Sequence, residues 1–162
     1  MPSPIVIACS KLLLDQKLTM AFAESASGGR LASEFSLIEN CGKILKGSIV
    51  CYDACVKQDV LGVPHELVEK YTPESAEVTQ ELADRLQNLM PADIYVAITG
   101  LTMPGGSETA EKPVGTMFIH AIIKGRPVAV REVYKGDPEA IVLFTVDRVA
   151  ELLINELQNT PL

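Results

Sequence analysis

The segment DIYVAITG, residues 93–100, constrains the fold of this 162-residue chain more than any other stretch. It is almost continuously apolar, so both of its faces need cover, as in a central strand of a sheet with helices on both sides. Shorter apolar strands at residues 18–24 and 48–52 alternate with helical segments, and VGTMFIHAII and VAVREVY predict a hairpin around KGRP. This order predicts an α/β fold, a three-layer αβα sandwich with a mixed β-sheet, in which residues 1–162 form a single domain.

The helices of this prediction are marked by apolar spacing and by capping residues. Residues 5–17 and 27–38 carry apolar side chains at helical spacing, and HELVEKY predicts a short helix. In the following segment, TPESAEVTQELADRLQNLM, Thr72 suits the N-cap, and Pro73, the next residue, suits the first helical position. Asp137 and Pro138 predict the start of a last helix in the same way.

Composition limits the classes of partner that this chain can bind. Its net charge of −7 argues against nucleic acid and against an anionic membrane surface, because both attract clustered Lys and Arg. No apolar run approaches the roughly 20 residues of a membrane span, and the N-terminal segment lacks the basic region of a signal peptide. We therefore expect a cytoplasmic protein with no nucleic-acid or membrane partner.

The four cysteines do not form a zinc-binding pattern. Cys51 and Cys55 are four residues apart, but no second pair and no nearby histidine completes a tetrahedral set. Reduced, partly buried thiols of a cytosolic protein are the favoured interpretation, and we expect no metal.

The stretch FAESASGGRLASE places an acid, two serines and a glycine pair between a strand and a helix. Ser25 could be a nucleophile, with the backbone amides of residues 27–29 close enough to hold an oxyanion. Alternatively, Ser25 or Ser27 only caps the helix, and Gly28 and Gly29 only turn the chain. Taken alone, this stretch favours the capping interpretation.

A serine nucleophile needs a base, and the two histidines are poorly placed for that role. His65 falls in a surface helix and His120 inside a strand, whereas a catalytic base is expected in a loop at a strand end. A desolvated lysine can act instead, because its pKa falls when the charged form loses water. Lys57 follows the second strand, and Tyr52 at the end of that strand could orient it or pass a proton. On spacing alone, a solvated helix lysine is still favoured.

A third candidate stretch, TGLTMPGGSETAEKPVGT, leaves the central strand through a glycine-rich loop. It starts with Thr99 and Gly100, contains Gly105 and Gly106, and ends near Lys112. Ligands of α/β sheets tend to bind beyond the carboxyl ends of strands, although this loop matches neither a P-loop nor a dinucleotide fingerprint. The alternative is a mobile surface hairpin.

Together, AESASGG, GSIVCYDACVK and TGLTMPGG followed by EKPVGT resemble the C-terminal domain of the competence/damage-inducible protein CinA. This is the family of nicotinamide mononucleotide deamidases, whose patterns are AESCTGG, G-x-V-x-Y-S-N-E-A-K and TGIAGP-x-GG with EKPVGT. Order and spacing agree over nearly the whole chain, including a helix start at Ser75. The resemblance implies hydrolysis of a carboxamide to an acid and ammonia by a serine and a lysine, without metal or cofactor.

Carried over by position, the resemblance makes Ser25 the nucleophile, Lys57 its base and Tyr52 an assisting hydroxyl. The amides after Ser25 would form the oxyanion hole. The implied substrate-binding residues are Glu24, Ser27, Gly28, Gly29, Thr99, Gly100, Gly105, Gly106 and Lys112. The ligand is expected to be a small-molecule amide or nucleotide, and we also expect a homo-oligomer.

Several positions depart from the family pattern. Met103 replaces a glycine of the GIAGP turn, and Thr109 and Ala110 lengthen the loop. Near the last helix, this chain has GDPEAIV where the family pattern is GDR-x-x-VR. Without those arginines, a nucleotide phosphate loses a charge-assisted pair of roughly 1.5–3 kcal/mol, so we expect the mononucleotide to bind weakly or not at all. The cations that could substitute are Arg30, Lys43 and Lys112.

Three functions remain open at this point. Retention of Ser25, Tyr52 and Lys57 favours an amidohydrolase, whereas the missing arginines and Met103 favour a catalytically inactive paralogue that binds or regulates. A purely structural oligomer subunit is a third alternative. For an enzyme, the Ser25 hydroxyl should lie within hydrogen-bond reach of the Lys57 amine, and Glu24 should turn to backbone amides instead of pairing with the lysine.

Overall fold

In the computed structural model, which describes residues 1–159, the chain forms a five-stranded sheet of order β2-β1-β3-β4-β5. The strands are β1 (Met20–Glu24), β2 (Leu45–Val50), β3 (Ile94–Gly100), β4 (Thr116–Ile123) and β5 (Arg126–Val133). β1 pairs in parallel with β2 and β3, whereas β3, β4 and β5 pair antiparallel. The sheet is therefore mixed, as predicted.

Helices cover both faces of the sheet. They are α1 (Pro4–Gln16), α2 (Arg30–Ser36), α3 (Ala54–Asp59), α4 (His65–Tyr71), α5 (Ala76–Leu86) and α6 (Pro138–Asn159), with a short 3-10 turn at Cys41–Lys43. α1, α2 and α6 share one apolar core with the sheet, and α5 forms the other with segments from α3 and α4. This arrangement confirms the three-layer αβα prediction. None of the helices within residues 1–159 is both long and apolar enough to span a membrane.

The alternation of side chains along β1 decides the direction of the residues that follow it. Met20 and Phe22 lie in the core beneath α1, α2 and α6, whereas Ala21 and Ala23 lie in the core beneath α5. Because successive residues of a strand point to opposite faces, the next residue, Glu24, points toward α2 and the one after it toward the α3 side.

β3 is the central strand of the sheet, as its apolar sequence predicted. Its residues from Ile94 to Thr99 are buried, and it lies between β1 and β4. β5, by contrast, alternates exposed and half-buried side chains at the sheet edge.

Several predicted boundaries are wrong. The second strand ends at Val50, so Tyr52 lies beyond it and not at its last position. α5 is capped by Ser75, whose Oγ accepts from the Val78 N–H at 3.2 Å, and not by Thr72. An N-cap needs an extended backbone, which Ser75 has, whereas Thr72 has a φ of 72°.

The starts of α2 and α6 are also explained by local chemistry. α2 begins at Arg30 and not at residue 27, because Gly28 and Gly29 have φ angles of 57° and 97° that a right-handed helix cannot contain. α6 begins at Pro138 as predicted, and the Asp137 carboxylate accepts from the Ala140 N–H at 2.8 Å.

Candidate active site

Ser25 and Lys57 meet at the carboxyl ends of β1 and β2. The Lys57 Nζ lies 2.8 Å from the Ser25 Oγ, and it also lies 2.7 Å from the Cys51 carbonyl oxygen and 3.1 Å from that of Tyr52. Lys57 is only 1% exposed, so this contact is closed to bulk water. The geometric expectation of a serine and lysine within hydrogen-bond reach is confirmed.

Local structure brings the two side chains together. The Ser25 N–H donates to the Ile98 carbonyl at 3.0 Å, which extends the pairing of β1 with β3 by one residue. Asp53 caps α3 by accepting from the Cys55 N–H at 2.7 Å, and this sharp helix start directs Lys57 back toward the sheet. Neither histidine takes part, since His65 is exposed in α4 and His120 is buried within β4.

Burial and neighbouring charges act in opposite directions on the protonation of the Lys57 amine. Burial lowers the pKa of its amine, and no carboxylate among residues 1–159 forms an ion pair with it. Glu74 and Asp53 act in the opposite direction only through space. Burial also raises the pKa of the Cys51 thiol, which therefore stays neutral near pH 7 and does not hold the lysine charged. A neutral amine can donate to both carbonyls and accept the serine proton with its lone pair.

Glu24 turns away from the lysine, as expected for an enzyme. Its Oε1 accepts from the Leu31 N–H and the Ser27 hydroxyl, both at 2.8 Å. Its Oε2 accepts from the Ala32 N–H at 3.1 Å and the Ser48 hydroxyl at 2.7 Å. The carboxylate is completely buried and fully bonded, so it anchors α2 and β2 to the loop after Ser25 and is closed to a ligand.

The turn after Ser25 provides two of the amides that an oxyanion hole needs. The Gly28 N–H donates to the Ser25 carbonyl at 3.0 Å and closes the turn, so it is occupied. The backbone N–H groups of Ala26 and Ser27 form no hydrogen bond with the part of the chain that the structure describes. The oxyanion-binding amides are therefore expected from Ala26 and Ser27, with Gly28 and Gly29 shaping the turn.

A cavity of about 270 Å³, here called the inner cavity, opens beside Ser25. It is lined by Ser25, Ala26, Tyr52, Glu74 and the glycine-rich loop of residues 100–106. The structure thus places the predicted residues Gly100, Gly105 and Gly106 at the cavity. Gly100 also has to be a glycine, because a Cβ there would lie 2.3 Å from the Met117 sulfur and 2.7 Å from the Thr116 carbonyl oxygen.

A second cavity of about 340 Å³, here called the outer cavity, adjoins the first and shares Ala26, Tyr52, Thr102 and Met103 with it. Tyr52 and Met103 line both cavities, and both side chains are more than half exposed. Tyr52 forms no side-chain hydrogen bond among residues 1–159, although its carbonyl oxygen holds Lys57. Its role as an assisting hydroxyl stays a prediction.

The outer cavity is lined by apolar side chains and by charged side chains that form ion pairs within the protein. Besides Tyr52 and Met103, it is lined by Ala26, Ser27, Arg30, Thr102, Pro138, Glu139 and Val142. Arg30 is the cation at this cavity, and its Nε lies 2.6 Å from Glu34 while its Nη1 lies 3.4 Å from Glu139.

Several predicted substrate-binding residues lie away from both cavities or are already bonded. Thr99 is buried and shares a hydrogen bond of 2.8 Å with Thr79. The Ser27 hydroxyl donates its hydrogen bond to Glu24. Lys43 is exposed in the 3-10 turn and lines neither cavity.

Lys112 holds the glycine-rich loop in place and lines neither cavity. Its Nζ donates to the Thr72 Oγ1 at 2.6 Å and to the Glu74 carbonyl and the Ser107 Oγ, both at 2.8 Å. The Ser107 hydroxyl also donates to the Glu74 carboxylate at 2.5 Å. Burial lowers the pKa of the Lys112 ammonium, while Glu74 opposes this shift. The sequence did not single out Glu74 as a cavity residue or Ser107 as its partner, because these contacts join segments more than 30 residues apart.

Comparison with known proteins identifies close relatives. The model of the CinA C-terminal domain family matches residues 3–157. The CinA-like protein of Thermotoga maritima is 37% identical over 131 residues, which cover 81% of this chain and 32% of the relative. A putative competence-damage inducible protein of Clostridioides difficile is 32% identical over 151 residues, covering 93% of this chain and 35% of the relative. The chain spans about a third of the length of these curated relatives.

Solved structures have the same fold over almost the whole chain. A competence-damaged protein (CinA) superfamily protein from Klebsiella pneumoniae has a TM-score of 0.90 at 26% identity, covering 96% of this chain and 97% of that one. A competence/damage inducible protein from Agrobacterium tumefaciens has a TM-score of 0.89 at 25% identity, covering 98% and 99%. Since the family model matches nearly all of the described residues and relatives above 30% identity cover most of the chain, this protein belongs to the CinA C-terminal domain family.

Proposed function

We propose that this chain hydrolyses a carboxamide to the carboxylic acid and ammonia, with Ser25 as the nucleophile and Lys57 as the general base. The observation that carries the proposal is the buried contact of 2.8 Å between the Ser25 Oγ and the Lys57 Nζ. A serine hydroxyl is a weak nucleophile unless a neighbouring base removes its proton, and a desolvated lysine can do so.

The first half of the reaction forms an acyl-enzyme. The Ser25 Oγ attacks the carboxamide carbon as its proton moves to the Lys57 Nζ, which gives a tetrahedral intermediate with a negatively charged oxygen. The free N–H groups of Ala26 and Ser27 are the donors available for this oxygen. The intermediate collapses as the Lys57 ammonium returns the proton to the departing nitrogen, and ammonia leaves.

Water completes the second half. Lys57, neutral again, takes a proton from a water molecule that attacks the acyl carbon. Collapse of this second intermediate returns the proton to the Ser25 Oγ and releases the acid. Lys57 therefore alternates between neutral and charged forms, and the Cys51 and Tyr52 carbonyl oxygens accept its N–H groups in either form.

The sequence resemblance suggests nicotinamide mononucleotide as the amide. The motifs AESASGG and EKPVGT, which resemble those of the deamidase family, support this substrate. Hydrolysis of its carboxamide would give nicotinic acid mononucleotide and ammonia. The inner cavity of about 270 Å³ offers room beside Ser25 for a carboxamide on an aromatic ring.

Ammonia release from a panel of carboxamides tests the proposal, with Ser25→Ala as the control. Release by the native chain and not by Ser25→Ala is the expected result. A fluorophosphonate probe tests the nucleophile independently of the substrate, and it should label Ser25. A chain that neither releases ammonia nor reacts with the probe would not be this enzyme.

One observation favours the second candidate, an inactive paralogue that binds a small molecule. The three oxygen atoms around the Lys57 Nζ also suit a permanently charged ammonium, which could not activate Ser25. Probe labelling separates the two candidates, because a charged lysine leaves Ser25 unreactive. The predicted homo-oligomer is a separate proposal, which sedimentation of the purified chain measures directly.

A further inference from the structure

We propose that Glu74 is a specificity-determining residue, whose carboxylate makes the inner cavity select an amide on a positively charged ring over an uncharged ring of the same shape. The inference rests on the proposed amide hydrolysis at Ser25 and adds a chemical property of the group that carries the carboxamide. Its basis is the charge, the position and the hydrogen bonds of the Glu74 side chain.

Glu74 contributes the charged side chain of the inner cavity. The other described residues that line this cavity are Ser25, Ala26, Tyr52 and residues 100–106, and none of these is Asp, Glu, Lys, Arg or His. Small and apolar side chains solvate an ion poorly, so a charge on a bound ligand depends strongly on any charge in the wall. In this wall that charge is negative.

The Glu74 carboxylate acts through space on the reacting centre. Burial lowers the pKa of the Lys57 amine, whose Nζ lies 2.8 Å from the Ser25 Oγ, and the negative charge of Glu74 opposes this shift more than that of Asp53 does. No ion pair among residues 1–159 includes Glu74. A positive charge on an amide bound at Ser25 therefore enters the field of a carboxylate that has no salt-bridge partner in this part of the chain.

Hydrogen bonds hold Glu74 at the wall of the cavity. Its Oε2 accepts from the Ser107 Oγ at 2.5 Å, and its backbone carbonyl accepts from the Lys112 Nζ at 2.8 Å. The Lys112 ammonium offsets part of the negative charge, but it lines neither cavity and donates its other hydrogen bonds to Thr72 and Ser107. A carboxylate already fixed in place attracts a cation without the cost of rearrangement.

Tyr52 adds a second attractive surface for a cationic ring. It lines the same cavity, and the face of an aromatic ring attracts a positive charge. A cation bound between Tyr52 and Glu74 also disfavours the ammonium form of Lys57, which favours the neutral base that Ser25 needs. Nicotinamide mononucleotide, the amide suggested above, has such a charge on its pyridinium ring, so the inferred preference agrees with that substrate.

The test compares nicotinamide mononucleotide with its benzamide counterpart, in which a carbon atom replaces the ring nitrogen and removes the positive charge. The value of kcat/KM for each amide is measured with the native chain, Glu74→Gln and Glu77→Gln. The intrinsic reactivity of each amide is the same for every variant, so a change in the ratio of the two values isolates the effect of the ring charge.

Glu74→Gln should reduce the preference for the cationic amide by about fivefold or more. Glu77→Gln removes an exposed carboxylate from the first turn of α5, lines neither cavity and should leave the ratio unchanged. A purely structural role of Glu74 would lower both values together and leave their ratio as in the native chain, which overturns the inference. An equal change in Glu77→Gln also overturns it, because net charge alone would then explain the preference.

The pH dependence of Ser25 labelling by the fluorophosphonate gives a readout without substrate. Because Glu74 opposes the lowering of the Lys57 pKa, Glu74→Gln should move the midpoint of the labelling rate to lower pH, whereas Glu77→Gln should not. Cys51 and Asp53, the other groups that act on this amine, are the same in both variants. An unchanged midpoint in Glu74→Gln overturns the inference, since the carboxylate would then not act on the reacting centre.

The outcomes separate this inference from the proposed function. Hydrolysis with a ratio insensitive to Glu74 overturns the inference and leaves the hydrolase intact. If the probe labels Ser25 but neither amide is hydrolysed, protection from labelling replaces kcat/KM, and equal protection by both amides, or none by either, overturns the inference. Absence of both labelling and hydrolysis overturns the proposed function itself.

Discussion

The two ends of the cleft are built by different means. Behind the inner cavity, Lys57 is 1% exposed and Glu24 is fully buried, and every polar atom of these two side chains is bonded inside the protein. At the outer cavity, the Arg30 and Glu139 side chains are 40% and 71% exposed. The inner end is therefore fixed by the sheet and its core, whereas the outer end depends on side chains that can change while the fold persists.

This difference separates the two ends in their effect on stability. Removing one partner at the inner end leaves a buried donor or acceptor without a bond, and the free energy of unfolding falls accordingly. Exchanging a charge at the outer end alters a solvated ion pair, and such a pair contributes about 0–1 kcal/mol to the free energy of unfolding.

Removal of the lysine amine should produce the largest effect. Lys57→Met keeps the apolar stem and removes the base, so kcat for amide hydrolysis should fall by about a thousandfold or more. Fluorophosphonate labelling of Ser25 should disappear in the same variant. Lys11→Met, on the exposed side of α1, provides the matched control. Normal labelling of a folded Lys57→Met protein would show that Ser25 does not depend on this lysine.

The same substitution at the two ends should affect stability very differently. Glu24→Gln places an amide NH₂ against hydrogen-bond donors in a buried site, and we expect the free energy of unfolding to fall by about 3 kcal/mol. Glu139→Gln alters an exposed ion pair and should change it by less than about 0.5 kcal/mol. Urea denaturation measures both values. Equal losses would mean that the two ends are not built differently.

The direction of the buried side chains at the inner end was largely predictable from sequence, because successive side chains of a strand point to opposite faces. The period of β1 sends Glu24 and Ser25 to opposite faces, and this alternation predicted that the acid would turn to backbone amides and leave Lys57 free. The central position of β3 followed from its apolar sequence in the same way. These two predictions needed only the strand period and the apolar pattern, whereas the pairing of Ser25 with Lys57 rested on the resemblance of the motifs to the family.

The outer end was not predictable in this way. Arg30 meets Glu139 across 109 positions of sequence, and no local pattern encodes such a pair. Lys112 was predicted to contact substrate, whereas in the structure its Nζ donates hydrogen bonds to Thr72 and Ser107. The end of β2 was misplaced because this edge strand is held by backbone pairing with β1 and has few buried side chains to mark it.

The pH dependence of Ser25 reactivity should report the lysine directly. Burial lowers the pKa of Lys57, and only the neutral amine can accept the serine proton. The labelling rate should therefore rise with pH by up to about tenfold per pH unit below this pKa and level off above it, with a midpoint below that of a solvated lysine. In Lys57→Met, the residual rate should lack this rise. A native profile that is flat or falls with increasing pH would contradict a lysine base.

The smallest effect is expected at Lys112, which holds the glycine-rich loop beside the inner cavity. Its ammonium ties Ser107 to Thr72 and to the Glu74 backbone, and this contact holds the loop whose glycines line the inner cavity. Lys112→Met should loosen the loop but leave the contact between Ser25 and Lys57 intact. We therefore expect KM to rise by roughly threefold to tenfold and kcat to change by less than about twofold. Hydrogen exchange should increase in residues 101–112, which a role confined to substrate contact would not produce. Lys11→Met again serves as the control, and a fall in kcat at unchanged KM would instead assign Lys112 to the chemical step.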